Sequence, residues 1–136
     1  MAGKKILIAD DEARLRKLVS DYLVREGYEV LEAADGEQAL DIFYREKDLS
    51  LMILDVMMPG VDGFMVCKEV RETSQIPIVM LTAKSEENDI LNGYEYGADE
   101  YIPKPFSPKI LVAHVNAIIR RTSDADDGNK DLLEAG

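Results

Sequence analysis

The sequence predicts an α/β fold in which a doubly wound, five-stranded parallel sheet is covered by helices on both faces. Two observations predict it: strand and helix patterns alternate five times, and the central strand segments are apolar throughout. Continuously apolar strands are typical of parallel sheets that are buried on both faces. Alternation implies right-handed crossovers between parallel strands. Periodicity alone leaves the strand order open, but the order 2-1-3-4-5 would place strands one and three side by side.

Local signals place each element along the chain. Short apolar segments predict strands at 5–9, 28–33, 51–54, 77–81 and 100–102. Apolar residues at helical spacing predict five helices, of which the first ends at Gly27 and the fourth at Gly97. The later predicted helices cover 36–47, a segment ending near 74, 86–96 and 108–121.

Length and composition limit the classes of protein to which the chain can belong. The 136 residues suffice for one domain, which we predict over 1–121, followed by an acidic flexible linker or tail over 122–136. The net charge of −11 disfavours direct binding of nucleic acid or of an anionic membrane. The single cysteine, Cys67, excludes an internal disulfide. Because we find neither a signal peptide nor an apolar run of membrane-spanning length, we expect a cytoplasmic location.

Three aspartates follow or end two of the predicted strands. Asp10 and Asp11 follow strand one, and Asp55 ends strand three. Ligands of parallel sheets bind beyond the carboxyl ends of the strands. If these two strands are neighbours, the three carboxylates share one crevice and repel one another, so a hard cation such as Mg²⁺ or Mn²⁺ is the expected compensation. Asp10 could instead cap a helix and Asp55 a turn, but a cluster of three exceeds what caps require.

Further polar groups at the same strand ends suit phosphoryl transfer. Strand four ends with Thr82, strand five ends near Lys104, and a backbone carbonyl near Met57 could supply a neutral metal ligand. A carboxylate such as that of Asp55 can act as a nucleophile that forms an aspartyl phosphate. A metal ion and a lysine would neutralise the phosphoryl oxygens, and a hydroxyl could donate to one of them.

Four segments carry a family resemblance: KKILIADDE, LMILDVMMPGVDG, PIVMLTAK and ADEYIPKPF. Together they resemble the receiver domain of bacterial response regulators, a flavodoxin-like fold, over about 4–121. The resemblance implies that Asp55 is the phosphoacceptor, that Asp11 binds Mg²⁺ directly, and that Asp10 acts mainly through water. It also implies that the Met57 carbonyl is a metal ligand.

The resemblance extends to the phosphoryl contacts and to a switch. It implies that Thr82 and Lys104 contact the phosphoryl group and that the Lys104–Pro105 bond is cis. In the family, Thr82 moves toward the phosphoryl group and Tyr101 turns inward, which alters the face formed by the fourth helix, the fifth strand and the fifth helix. The implied donor is a sensor histidine kinase of a two-component system. The implied catalysis is limited to the chain's own phosphorylation and dephosphorylation, so we do not expect an enzyme.

The segment GADEYIPKPFSPKILVAHVNAIIRR resembles receivers of the OmpR/PhoB type, which are joined to winged-helix DNA-binding domains. It implies a homodimer on activation, with DNA contact only through a C-terminal domain that this sequence lacks. Ile90 and Ile110 stand where the family usually has a basic residue and a glutamate, so we expect them to meet across a two-fold axis. Glu100 and Arg121 keep the usual charges, and His114 stands where arginine is common. We favour a truncated regulator over a stand-alone receiver.

Two alternatives remain at this point. A Mg²⁺-dependent phosphatase with an aspartate nucleophile is the second candidate, although such enzymes often carry a DxD pair after strand one and this chain has adjacent aspartates. A flavin-binding module of the same fold is opposed by the acidic strand ends, which would repel a flavin phosphate.

Overall fold

The sheet has the predicted five strands and strand order. The computed structural model describes residues 3–83 and 97–135, with side chains as far as 122. All strand pairs are parallel and the order is β2-β1-β3-β4-β5. The strands are β1 (Lys5–Ala9), β2 (Glu29–Ala33), β3 (Leu49–Asp55), β4 (Ile78–Thr82) and β5 (Glu100–Pro103).

Helices cover both faces of this sheet. The described helices are α1 (Ala13–Arg25), α2 (Gly36–Arg45), α3 (Gly63–Arg71) and the C-terminal helix (Pro108–Ala135). Two apolar clusters result, because successive strand side chains point to opposite faces. One cluster joins the sheet to α2 and α3 and contains Leu7, Met52 and Met80. The other joins the sheet to α1 and the C-terminal helix and contains Ile8, Ile53 and Leu81. The predicted helix at 86–96 lies outside the described residues.

Several element boundaries differ from those that the sequence predicted. β3 begins at Leu49 rather than at 51, because Leu49 pairs with Lys5 across a register shift. Gly27 and Gly97, the predicted helix stops, have φ values of 97° and 94°, a region that glycine adopts without strain.

Among the described residues, no helix has the length and apolarity that a membrane crossing requires.

The C-terminal helix differs most from the prediction. We expected it to end at 121 and to be followed by a flexible segment, whereas it continues to Ala135. No proline interrupts the chain after Pro108, and the Thr122 hydroxyl bonds the Ile118 carbonyl within the helix at 2.9 Å. Sequence periodicity missed the extension because the segment is polar, and polar helices lack the apolar stripe on which the prediction depends. The division into a domain and a linker stays a prediction.

Strand register brings the functional strand ends to one edge. Ala9 pairs with Leu54, Asp55 with Leu81, and Thr82 with Pro103. The loop after β3 is held tightly against this edge, because a Cβ at Gly63 would lie 2.5 Å from the carbonyl oxygen of Asp55. The carboxyl ends of β1, β3, β4 and β5 therefore surround a single crevice.

Candidate functional site

The three predicted aspartates form one cluster in this crevice. Each of Asp10, Asp11 and Asp55 offers a carboxylate oxygen, and these oxygens lie within 4.8 Å of one another. Asp10 is 0% exposed and Asp55 is 2% exposed, whereas Asp11 is open to solvent. Two buried carboxylates beside an exposed one suit a hard cation that keeps some of its water, so the donor set fits Mg²⁺ or Mn²⁺. Asp10, Asp11 and Asp55 would hold it.

Lys104 is the cation of the cluster. Its Nζ lies 3.2 Å from Asp10 Oδ2 and 3.4 Å from Asp55 Oδ1. The side chain is only 17% exposed, so solvent screens these pairs weakly. The backbone N–H of Lys104 donates to the carbonyl of Thr82, which holds Lys104 beside the end of β4, next to the crevice. The Lys104–Pro105 bond is cis, as the family resemblance implied.

Burial makes the charged form of Asp55 unfavourable. Burial, together with the negative charge of Asp10, raises the pKa of Asp55 to about 7, although Lys104 and the Met57 N–H act in the opposite direction. Burial lowers the pKa of Lys104, but Asp55 and Asp10 outweigh it and the pKa of the lysine is raised overall. One ammonium therefore does not compensate the carboxylates fully, and a bound cation would relieve the repulsion that remains.

Asp10 has two roles, one in the loop before α1 and one in the cluster, but it does not cap the helix, because the N-cap of α1 is Glu12 and has no side-chain cap bond. Its Oδ1 accepts a hydrogen bond from the Glu12 backbone N–H at 2.9 Å, just before α1 begins. Its Oδ2 faces Lys104. Arg16 Nη1 donates to the Asp10 carbonyl at 2.7 Å and Arg16 Nε to Glu32 Oε1 at 3.0 Å. These contacts fix the residue, so that one carboxylate oxygen orients the loop while the other faces the crevice.

The remaining predicted site residues lie around the cluster. The Met57 N–H donates to Asp55 Oδ1 at 3.3 Å, and the Met57 side chain is exposed at the rim. Thr82 is buried at the end of β4, one residue after Leu81, the register partner of Asp55. Tyr101 is also buried, in β5. The carbonyl role of Met57 and the switch roles of Thr82 and Tyr101 stay predictions.

The described residues of the predicted dimer face lie on β5 and the C-terminal helix. Ile110 is 58% exposed on the C-terminal helix, and Arg121 is exposed farther along it. His114 Nδ1 lies 3.8 Å from Glu100 Oε2, a pair that our sequence analysis did not anticipate. Ile90 lies outside the described residues, so its predicted contact with Ile110 stays a prediction.

A cavity beside the cluster escaped the sequence analysis. It has a volume of about 420 Å³ and is lined by Glu12, Leu15, Ala83, Lys104, Pro105 and Phe106. Its walls come from the start of α1 and from the segments after β4 and β5, which are distant in sequence. The one available signal was an aromatic residue, Phe106, in the loop just after Lys104.

Comparison with known proteins identifies the family of this chain. Residues 6–116 match the family described as response regulator receiver domain. A probable transcriptional regulator, ycf27, from Porphyridium aerugineum is 50% identical over 129 residues, which are 95% of this chain and 53% of that protein. The transcriptional regulatory protein ResD from Bacillus subtilis is 50% identical over 119 residues, 88% of this chain and 49% of that protein. The chain thus spans about half the length of these relatives.

Solved structures show the same fold. A CheY-like receiver domain protein from Methanospirillum hungatei superimposes with a TM-score of 0.84 at 25% identity, covering 90% of this chain and 98% of that chain. The BeF3-activated DrrB receiver domain gives a TM-score of 0.79 at 34% identity, covering 88% of this chain and 98% of that chain. The fold, the carboxylate cluster and the sequence matches lead to one conclusion: this chain belongs to the response regulator receiver family, with relatives that are transcriptional regulators of the OmpR/PhoB type.

Proposed function

We propose that the chain is a phosphorylation-activated switch in which Asp55 accepts a phosphoryl group in a Mg²⁺-dependent reaction. One observation carries the proposal: a buried carboxylate shares its crevice with two further carboxylates and a lysine. A carboxylate whose pKa is raised to about 7 gains from any partner that neutralises it. Membership of a signalling family favours such a switch over the alternative of a phosphatase.

Each residue of the crevice has a role in this reaction. An oxygen of Asp55 attacks phosphorus, the bond from phosphorus to the donor's nitrogen or oxygen breaks, and the leaving group takes the electron pair. Lys104 holds one phosphoryl oxygen through its ammonium, and the Thr82 hydroxyl donates to another. Mg²⁺, held by Asp10, Asp11, Asp55 and the Met57 carbonyl, supplies charge neutralisation of the phosphoryl oxygens when bound.

The donor and the output follow from the same family. A sensor histidine kinase would supply the phosphoryl group. Contacts of Thr82 with the added group, followed by inward movement of Tyr101, would shift a two-state equilibrium of the face around β5. That face would pair two copies through Ile110 and Ile90, and DNA would be bound by a C-terminal domain outside this chain, as suits relatives that are named transcriptional regulators.

Incubation with acetyl phosphate and Mg²⁺ tests the phosphoacceptor. We expect one phosphoryl adduct, located at Asp55 by mass spectrometry, and none with Asp55→Asn or with EDTA. Asp41→Asn, an exposed carboxylate on α2, is the matched control and should react like the natural chain. An adduct elsewhere would contradict the proposal, and rapid multiple turnover of a phosphomonoester would favour the phosphatase.

Analytical ultracentrifugation tests the dimer face. Ile110→Lys and Ile90→Lys should each weaken the dimer that forms in beryllofluoride and Mg²⁺, because a buried ammonium would have no partner on an apolar two-fold contact. Val24→Lys, a similarly exposed apolar position on α1, is the control and should leave the dimer intact. A dimer that survives both isoleucine changes would refute the pairing.

A further inference from the structure

The pair formed by His114 and Glu100 carries charge attraction only when the imidazole is protonated. His114 Nδ1 lies 3.8 Å from Glu100 Oε2. Histidine is the side chain that ordinarily changes its charge between pH 5 and 8. His114 is the single histidine of the chain, so the sequence offers no second imidazole that responds in this range. The side chain of His114 is 43% exposed and that of Glu100 is 29% exposed, so a partner protein can cover both.

His114 lies on the same side of the C-terminal helix as two other residues of the predicted dimer face. Ile110 precedes it by four positions and Arg121 follows it by seven, and both spacings return to one side of an α-helix. Glu100 borders this side from β5, which is the last strand of the sheet. The pair therefore lies beside the apolar contact through Ile110 that we propose for the dimer.

On its own helix, His114 has no charged neighbour within one turn. Arg121 lies about 10 Å farther along the axis, at the usual rise per residue. Lys109 precedes His114 by five positions, which places it on a different side of the helix. The positions one turn before and one turn after His114 hold the uncharged residues Ile110, Leu111, Ala117 and Ile118.

On the strand side, Glu100 is the carboxylate that lacks a permanent cation. Asp99 beside it pairs with Arg71 Nη2 at 3.0 Å and accepts a hydrogen bond from the Ile78 N–H, so its charge is already compensated. Within residues 3–83 and 97–122, His114 is the one basic side chain within 4 Å of a Glu100 oxygen.

The predicted helix at 86–96, which lies outside the described residues, supplies no replacement cation. Its sequence contains no lysine or arginine. Its ionisable acids ordinarily change charge well below pH 6, so they do not respond in the range of the imidazole. These acids are Glu86, Glu87, Asp89 and Glu95.

We propose that protonation of His114 strengthens the pairing of two copies through the predicted dimer face, so that dimerisation depends on pH as well as on phosphorylation. The inference rests on the proposed function and adds a second means of regulation at the same face. Pairing removes water from Glu100, and a carboxylate that loses water without a cation beside it is costly. A charged imidazole offsets this cost, whereas a neutral imidazole does not. Because a two-fold axis repeats every contact, each dimer contains the pair twice.

Sedimentation of the protein in beryllofluoride and Mg²⁺, at about pH 6 and about pH 8, measures the effect. The dissociation constant of the dimer should be about tenfold lower at the acidic pH, because each of the two pairs contributes about threefold, as expected for a partly exposed ion pair. Salt should reduce this ratio, since screening weakens an exposed pair.

Two substitutions separate the imidazole from every other group that responds to pH, including Asp55. His114→Arg keeps a cation at both pH values, so its dimer should be as tight at pH 8 as at pH 6 once the response of the other groups is subtracted. His114→Gln carries no charge at either pH and supplies that response of the other groups. Glu100→Gln removes the carboxylate, so this chain should lose the additional pH dependence of the natural chain.

The outcomes distinguish this inference from the proposed function. A natural chain whose dimer responds to pH no more than that of His114→Gln would refute the role of His114 and leave the proposed dimer intact. If no chain dimerises at either pH, the proposed pairing itself is wrong, and the role of His114 is refuted with it.

Discussion

Neutralising Asp55 should stabilise the metal-free protein. Its pKa rises from 3.8 to about 7 on folding, a shift of about three units. At about 1.36 kcal/mol per unit, the ionised carboxylate lowers the free energy of unfolding by at most ~4 kcal/mol at pH 8. Relaxation and water penetration usually reduce such a penalty in proteins. We therefore expect Asp55→Asn to raise the free energy of unfolding by about 2–4 kcal/mol.

The direction in which stability changes with pH follows from the raised pKa of Asp55. A folded-state pKa above the unfolded value means that the folded chain binds the extra proton, so the contribution of Asp55 to wild-type stability falls as pH rises from about 4 to about 7 and then levels off. The advantage of Asp55→Asn should accordingly be about half as large at pH 5.5 as at pH 8. Urea unfolding followed by circular dichroism in EDTA measures both values, with Asp41→Asn as the exposed control.

Mg²⁺ should reduce the stability advantage of Asp55→Asn over the wild type. A ligand that binds only the folded state stabilises it, and removing one of the three carboxylates weakens that binding. Wild type should therefore gain more stability from Mg²⁺ than Asp55→Asn does. The reasoning fails if the variant is no more stable than wild type at pH 8 in EDTA, or if its advantage does not shrink at low pH.

Three further changes test other contacts. Lys104→Met should slow adduct formation with acetyl phosphate about 100-fold, as expected for losing a donor to the phosphoryl oxygens, and an unchanged rate would contradict its role. Gly63→Ala should lower the free energy of unfolding by about 1–3 kcal/mol, because the new Cβ meets backbone 2.5 Å away, and a neutral result in urea unfolding would refute that clash. Arg71→Met should lower the free energy of unfolding by about 2–4 kcal/mol in the same assay, because Arg71 donates to the carbonyls of Gly97 and Ile76. Arg45 is an exposed arginine on α2, so Arg45→Met is the control and should change this free energy little.

The sequence was sufficient for the fold and for the cluster because both depend on pattern. Apolar strands predict a covered parallel sheet, and a parallel sheet brings strand ends to one edge, so Asp10, Asp55 and Lys104 could be expected to meet. The positions of buried carboxylates are then set by backbone register, which tolerates little variation.

Features that depend on side-chain direction across distant segments could not be predicted. The pair of His114 with Glu100 joins a helix to a strand through two rotamers. The cavity beside the cluster is lined by Leu15 and Phe106, which lie 91 positions apart in the numbering. The helical extension to Ala135 lacks the apolar periodicity from which a helix is predicted.

The distribution of the cluster along the chain has a consequence for synthesis. Asp10, Asp55 and Lys104 come from three separate strand ends, and Lys104 directly follows β5. A growing chain therefore cannot assemble the cluster until the segment after β5 has left the ribosome and joined the sheet. Before that point the buried carboxylates would lack their lysine, so assembly of the cluster must follow folding of the complete sheet.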